Sequence, residues 1–459
     1  MKDNIWLKYD ENDINRLNLL CDEYRKFISN SKIEREVINN SIEMAEDRGF
    51  VNINEYINSG RRIVAGDKIY VNNRGKCLAL FVIGQKDILE GINILGAHVD
   101  SPRLDLKANP LYEDTSFAYF DTHYYGGIKK YQWVALPLAL HGVVALKNGE
   151  VINIVIGEDD SDPVVGITDL LPHLGMEQLK KEASKVVEGE KLDILIGSMP
   201  DGSSDDCVKK NILNILKNKY NIFEDDFLSA EIEVVPAGKA RDFGIDRSMV
   251  MAYGQDDKVC AYTSLKAFLD VCDCSVNRTT SCILVDKEEI GSVGATGMES
   301  SFYENAILEI CSLMGHNEIT ALSRVLSNSF MLSSDVNAAY DPLYSDVMDK
   351  RNSSYFNNGV VFCKYTGSRG KSGSNDADAE YIAKLRKIMD DNNVYFQISE
   401  LGKVDAGGGG TIAYILANKN VNVIDCGVGV LSMHAPWEVT AKADIYEAYK
   451  CYVAFLKEA

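Results

Sequence analysis

The residues best suited to chemistry in this 459-residue chain are a few histidines that follow short apolar runs. The chain has six histidines, and two of them stand in such positions. His98 follows the apolar run 92–95, and His434 follows the run 421–424 after a glycine-rich passage. In open α/β sheets ligands bind beyond the carboxyl ends of strands, so both imidazoles are candidates for a binding site.

Carboxylates occupy similar positions. Glu288–Glu289 follows the apolar run 282–285, Asp256–Asp257 precedes a helical pattern, and Asp335 follows a further apolar stretch. Adjacent carboxylates next to buried strands are costly unless a cation compensates their charge. Imidazole and carboxylate groups at three separate strand ends therefore favour a divalent-metal site.

Each of these features also has an ordinary structural interpretation. A lone histidine is usually a surface residue or a satisfied core residue, and Asp257 at a helix start is a plausible N-cap. The pair Glu288–Glu289 is compatible with a solvated face. Spacing alone leaves the metal site and these alternatives open.

Composition limits the class of protein that carries these residues. Hydrophobic residues are 46% and charged residues 25%, which is typical of folded globular domains and excludes a disordered chain. The net charge of −20 argues against nucleic acid as a partner, because phosphate would be repelled. Eleven cysteines without a C-x-x-C pair, no signal-peptide h-region and no long apolar run predict a reduced cytoplasmic protein that does not enter a membrane.

The pattern of helices and strands that must position these groups predicts an α/β fold. Residues 10–58 have helical spacing, 63–84 alternate as strands, and strands alternate with helices from 241 onward. This pattern favours a mixed, partly parallel sheet covered by helices. Short β patterns dominate in between, so we expect a β-rich unit at 107–237 inserted into a discontinuous domain of 1–106 and 238–459.

Seven segments together resemble the aspartyl aminopeptidases, a family of dinuclear zinc aminopeptidases, and most closely its bacterial branch. They occur in the family's order and span most of the chain: GAHVDSPRLDLK (96–107), ARDFGIDRSMVMAYGQDDKVCAYTSL (240–265), VDKEEIGSVGATGMES (285–300), SSDVNAAYDP (333–342), GSRGKSGSNDA (367–377), DAGGGGTIA (405–413) and SMHAPWEV (432–439). The resemblance implies a three-layer catalytic domain with an inserted β-rich dimerisation domain.

The resemblance also implies five metal ligands. One divalent ion would be held by His98 and Asp335. The other would be held by Glu289 and His434, with Asp256 between the two ions. Zinc suits such ligands, and manganese or cobalt are alternatives.

The catalytic roles follow from the same resemblance. Glu288 would be the general base for a water that bridges the ions, and Asp100 would orient His98. His173 matches a histidine that the family lends to the neighbouring subunit as an oxyanion donor, although an ordinary interface histidine remains the alternative. The family's assembly implies a homo-oligomer, a dodecamer built from dimers.

Substrate preference is the least constrained feature. Lys364 and Lys371 lie where the family places a cation for acidic N-terminal side chains, and a solvated lysine is the alternative for each. The expected activity is hydrolysis of the N-terminal residue of peptides, with acidic or broader specificity. The alternatives are a dinuclear hydrolase of a non-peptide amide and a non-catalytic assembly protein.

Overall fold

The structure is a computed structural model that describes residues 4–203 and 205–459. The chain divides into two compact units, which are described separately. Unit 1 comprises the described residues up to Asp100, Ala240–Met433 and Glu438–Ala459. Unit 2 comprises the described residues of Ser101–Lys239 together with His434–Trp437.

Ten α-helices occur in the described residues, nine of them in unit 1. In chain order they are α1 Glu11–Ser29, α2 Glu34–Glu46, α3 Ile53–Ser59, α4 Cys207–Tyr220, α5 Gln255–Val271, α6 Phe302–Met314, α7 Ala321–Ser327, α8 Ala379–Asp391, α9 Ala413–Ala417 and α10 Lys442–Glu458.

The described residues also form twenty strands. They are β1 Val51–Asn52, β2 Lys68–Asn73, β3 Cys77–Val82, β4 Ile92–His98, β5 Arg103–Asp114, β6 Phe117–Tyr125, β7 Leu138–Ala145, β8 Val151–Ile156, β9 Ile194–Gly197, β10 Ala230–Pro236, β11 Arg241–Phe243, β12 Met249–Ala252, β13 Thr279–Val285, β14 Phe330–Ser333, β15 Asn337–Ala338, β16 Val360–Cys363, β17 Phe396–Ser399, β18 Asn422–Gly427, β19 Gly429–Leu431 and β20 Glu438–Ala441.

Unit 1 is built on a nine-stranded mixed sheet. Its strand order is β1-β2-β3-β13-β4-β14-β18-β16-β17. The four central strands β13, β4, β14 and β18 are parallel to one another. Their carboxyl ends therefore lie at one edge of the sheet, and this edge is the position that the sequence patterns indicate for a binding site.

Side chains of the central strands pack alternately on the two faces of the sheet. In β13, Cys282 and Leu284 contribute to one hydrophobic core, while Ile283 and Val285 contribute to the other. The first core is closed by α1, α2, α5, α8 and α10, and the second by α3, α6, α7 and α9. A strand buried on both faces has a continuous apolar sequence, which is why these runs were recognisable. The predicted layered α/β fold with a mixed, partly parallel sheet is confirmed.

A second sheet of unit 1 did not emerge from the sequence patterns. Five short strands pair in the order β11-β12-β20-β19-β15. Each strand has only two to four residues, too few to show a clear alternation. This sheet joins the segment before α5 to the segment before α10, because β12 pairs with β20.

Unit 2 contains a six-stranded antiparallel sheet in the order β8-β7-β10-β5-β6-β9. Among its described residues it holds one α-helix, α4. The expectation of short strands is wrong for β5 and β6, which span twelve and nine residues. The β5 ladder with β6 is interrupted by a register shift between Leu106 and Leu111, and this interruption obscures the alternation in the sequence.

Among the helices of the described residues, none combines the length and the apolar character needed to cross a bilayer.

Candidate metal centre

Three strands bring candidate ligands to the carboxyl edge of the nine-stranded sheet. His98 is the last residue of β4, and its register partner is Val285, the last residue of β13. Glu288–Glu289 follows β13 by three residues, and Asp335 follows β14 by two. Because these strands are parallel and adjacent, the three groups emerge side by side.

The imidazole of His98 is oriented by its neighbours on both sides. It is 1% exposed. Its Nδ1 lies 3.1 Å from the backbone oxygen of Asp100, which can only accept, so Nδ1 carries the hydrogen. Nε2 lies 3.2 Å from Oδ1 of Asp256 and 3.9 Å from Oε2 of Glu288. It donates to the Asp256 carboxylate when it is protonated, and its lone pair would serve an ion that displaces that proton.

Asp100 joins two of the strand ends. Its Oδ1 accepts the backbone N–H of Glu288 and its Oδ2 accepts that of Glu289, each at 3.1 Å. The same carboxylate lies 3.3 Å from Nδ1 of His98. One buried side chain thus fixes both the imidazole and the backbone of the two glutamates.

Two groups of three side chains are close enough to share an ion. The ligand atoms of His98, Asp256 and Glu289 lie within 4.8 Å of one another, and so do those of His98, Asp257 and Asp335. A donor set of one imidazole nitrogen and carboxylate oxygens suits zinc. The side chains present therefore fit a divalent metal.

Asp257 is a member of this cluster that the sequence interpretation left as a plausible helix cap. It is fully buried, and its Oδ2 accepts the backbone N–H of His98 at 3.3 Å. Gly254 stands at the cap position of α5, where no side-chain cap hydrogen bond forms. The signal available in the sequence was the adjacency of two aspartates, which does not show how the two side chains divide their tasks.

The electrostatics of the cluster favour a bound cation. Burial, together with the neighbouring Asp256, raises the pKa of Asp257 well above its usual value. Burial and the proximity of Asp257 do the same to the pKa of Asp335. Burial disfavours protonation of His98, but hydrogen bonds to Asp100 and Asp256 outweigh it and raise the pKa of the imidazole. Positive charge placed among these carboxylates is therefore strongly favoured.

His434 belongs to the short segment that groups with unit 2. Its Nδ1 lies 2.9 Å from the backbone oxygen of Gly127, also in unit 2. That carbonyl can only accept, so Nδ1 carries the hydrogen and Nε2 carries the lone pair. Like His98, His434 thus carries a hydrogen on Nδ1.

The other residues singled out from the sequence are His173 in unit 2 and Lys364 and Lys371 in unit 1. His173 is exposed in unit 2, where Leu170, Leu171 and Leu174 are also exposed. Lys364 and Lys371 in unit 1 both pair with Asp376, Lys371 at 2.9 Å.

Both lysines are partly exposed and form ion pairs with Asp376. Each lysine side chain is about two-fifths exposed. The Nζ of Lys371 also lies 3.7 Å from the centre of the Tyr365 ring. Both lysines therefore lie at one and the same carboxylate, that of Asp376.

Comparisons with known proteins agree with this chemistry. Residues 27–456 match the model of a family described as aminopeptidase I zinc metalloprotease, M18. A probable M18 family aminopeptidase 1 of Clostridium acetobutylicum is 58% identical over 99% of this chain and 97% of its own length. The crystal structure of an M18-family aminopeptidase from Thermotoga maritima superposes with a TM-score of 0.94 at 42% identity, covering 100% of both chains.

A more distant structure shares the fold alone. The mApe1 dodecamer of S. cerevisiae matches with a TM-score of 0.78 at 20% identity, covering 96% of this chain and 97% of its own.

The match to the family model and the identity to close relatives decide the assignment. The resemblance inferred from the seven motifs is confirmed, and so is the zinc-aminopeptidase type of fold. The chain belongs to the M18 family of zinc metalloproteases and is an aminopeptidase.

Proposed function

We propose that the carboxyl edge of the nine-stranded sheet is the active site and that it holds two divalent ions, most simply zinc. The observation that carries this proposal is the approach of His98 Nε2 to Asp256 Oδ1, 3.2 Å apart in a buried cluster with Glu289. In the proposal His98 and Asp335 hold one ion, Glu289 and His434 hold the other, and Asp256 serves both.

The two aspartates of the cluster receive different tasks. Asp256 faces Nε2 of His98, and its two carboxylate oxygens would let it help to hold both ions. Asp257 accepts the backbone N–H of His98 and so fixes the end of β4. Both carboxylates are buried, so their negative charge needs a compensating cation close by.

Different residues of the chain then carry out the separate steps of peptide hydrolysis. Two bound ions would polarise the scissile carbonyl and make water more acidic. Glu288 is the general base: its carboxylate lies 3.9 Å from His98 Nε2 and is partly exposed, so water and substrate can reach it. It takes the proton from the attacking water and delivers it to the leaving amine. Asp100 holds Glu288 in place through the backbone hydrogen bond.

His173 is proposed to act on a neighbouring subunit. It is exposed among exposed leucines of unit 2, as expected for a group that meets another chain. There it would donate a hydrogen bond to the oxyanion of the tetrahedral intermediate. The chain is accordingly proposed to form dimers of the β-rich unit that assemble into a dodecamer.

Acidic N-terminal residues are the proposed preferred substrates. Lys364 and Lys371 already bind one carboxylate, that of Asp376. A substrate carboxylate would compete for the same cations. Eleven free cysteines, nine of them buried in unit 1, support a reducing, cytoplasmic location.

Metal content tests the proposed site. Dialysed protein reloaded with excess zinc and then desalted should retain two ions per chain by mass spectrometry of the metal. Asp256→Asn should retain fewer than one, whereas Asp160→Asn, which changes an exposed acid of unit 2, should retain two. A stoichiometry of two in the Asp256 variant would refute its placement between the ions.

A further inference from the structure

Glu438 is a buried acid next to the candidate ligands that sequence reasoning did not assign to any role. It is 1% exposed and begins β20. Its Oε2 accepts the backbone N–H of Asp256 at 3.0 Å. A carboxylate hydrogen-bonded to a backbone N–H forms a charge-assisted bond, which is stronger than a bond between neutral groups.

The backbone of Glu438 is held by Gln255, the residue before Asp256. Its carbonyl oxygen accepts Nε2 of Gln255 at 2.7 Å, and Gln255 also donates to the backbone oxygen of Val250 at 3.0 Å. Tyr24 donates its hydroxyl to Oε1 of Gln255 at 3.1 Å. Strand pairing of Ala252 with Glu438 completes this buried network, which therefore gives Glu438 little freedom to shift.

The backbone at Asp256 needs such a partner. Asp256 and Asp257 have non-helical dihedral angles at the start of α5, with φ −79° and ψ 106° at Asp256. The first N–H groups of a helix have no partner within the helix, so they must be satisfied from outside. Glu438 supplies this partner and thereby fixes the peptide that carries the Asp256 side chain.

We propose that Glu438 is a positioning residue for the metal site. This inference rests on the proposed role of Asp256 between the two ions. By holding the Asp256 peptide, Glu438 sets the direction in which the Asp256 carboxylate meets the ions, and so it sets the affinity for both. A residue that merely stabilised the fold would change the melting temperature and leave metal affinity unaltered.

The test compares three substitutions of Glu438. Glu438→Ala removes the acceptor, Glu438→Asp withdraws it by one methylene, and Glu438→Gln keeps an acceptor oxygen at full length. Titration of the metal-stripped protein with Co²⁺, followed by calorimetry and by the visible absorption of bound cobalt, reports affinity and ligand geometry. We expect the Ala and Asp variants to bind Co²⁺ about 10- to 100-fold more weakly, and the Gln variant within about threefold of wild type.

Glu447 supplies a matched control. It is also a fully buried glutamate whose carboxylate accepts a backbone N–H, that of Tyr395 at 2.8 Å. It also accepts the hydroxyl of Tyr9. Glu447→Ala should lower the melting temperature without changing Co²⁺ affinity or the cobalt spectrum.

The outcomes separate this inference from the proposed function. If wild type fails to bind two Co²⁺ ions, or if Asp256→Asn binds them normally, the proposed metal site is wrong. If both of those results are as proposed and Glu438→Asp still binds Co²⁺ like wild type, Glu438 is not a positioning residue. Should Glu438→Ala fail to fold, the difference between the Asp and Gln variants decides.

Discussion

The carboxyl edge of the large sheet in unit 1 and the segment around His173 in unit 2 hold their proposed functional groups in opposite ways. At the sheet edge His98 is 1% exposed and touches Asp100 and Asp256. In unit 2 His173 is exposed, and the nearby Leu174 is 70% exposed. The first region is organised within one chain, whereas the second shows surface that a single chain leaves uncovered.

In the proposal the first function is completed within one chain and the second only on assembly. Ligands that must meet an ion at a fixed distance are held by strands and by a buried carboxylate, because small displacements weaken coordination. A group that acts on another chain has to remain accessible until assembly. Exposed apolar side chains beside it are the usual mark of a protein interface.

Glu288→Gln should have the largest effect of the substitutions that test the proposed active site at the sheet edge. Loss of the general base should lower kcat about 10³-fold, while the amide keeps the shape of the side chain and leaves zinc content unchanged. Steady-state kinetics with an aminoacyl-4-nitroanilide and metal analysis provide the two readouts. Glu309→Gln, an exposed change on α6, is the control and should behave as wild type. A Glu288 variant with normal kcat would remove this residue from the mechanism.

His173→Phe tests the exposed segment. Loss of one oxyanion donor should lower kcat about 10²-fold, with the oligomeric state unchanged in sedimentation. Co-assembly of His173→Phe chains with Glu288→Gln chains should recover part of the activity, because some active sites then receive an intact Glu288 and an intact His173. Absence of recovery in mixed oligomers would contradict a role across subunits.

Asp425→Asn tests a buried acid of the same sheet that lies outside the proposed ligand set. Burial raises the pKa of Asp425 to about 6. In the unfolded chain this carboxyl titrates near pH 4, so its contribution to stability is complete below that pH and is lost as the pH rises through 6. We therefore compare the free energy of unfolding of the variant with that of wild type at each pH. The difference between the two proteins should shift by about 2 kcal/mol in favour of the variant from pH 4 to pH 8.

The measurement for Asp425 is urea unfolding of the zinc-loaded proteins at both pH values. Asp160→Asn, which alters an exposed acid, should show no such difference between the two pH values. A relative stability of Asp425→Asn that is the same at pH 4 and pH 8 would show that this carboxyl does not titrate on folding.

Lys364→Ala should have the smallest effect. An exposed ion pair is worth about 1 kcal/mol, so the ratio of kcat/KM for N-terminal Glu to that for N-terminal Leu should fall about fivefold. Lys419→Ala, which breaks an ion pair with Glu304 elsewhere in unit 1, should leave the ratio unchanged. An unaltered ratio in the Lys364 variant would favour a solvated lysine and a broader specificity.

Much of the fold could be predicted because its central strands are buried on both faces. The continuous apolar run 282–285 stands out, as does 421–424, which is interrupted only by Asn422, and the structure places β13 and β18 there. The five-stranded sheet could not be predicted, because its strands of two to four residues carry too little pattern. The long strand β5 was obscured by its register shift.

The candidate site was predictable in its residue types and less so in its contacts. The positions of His98 and Asp335 at strand ends follow from the sequence pattern once the strands are parallel. The buried position of Asp257 and the contact from Glu438 to the Asp256 backbone depend on tertiary packing. No local spacing indicates them, since 182 residues separate Asp256 from Glu438.

The most direct test of the central claim is reconstitution of the metal-stripped protein with zinc, manganese or cobalt, assayed on a panel of dipeptides and aminoacyl-4-nitroanilides. N-acetylated versions of the same substrates are the controls. We expect hydrolysis to depend on added metal, to reach its maximum at two ions per chain and to be confined to substrates with a free N-terminus. Full activity at one ion per chain, or equal hydrolysis of the acetylated substrates, would contradict it.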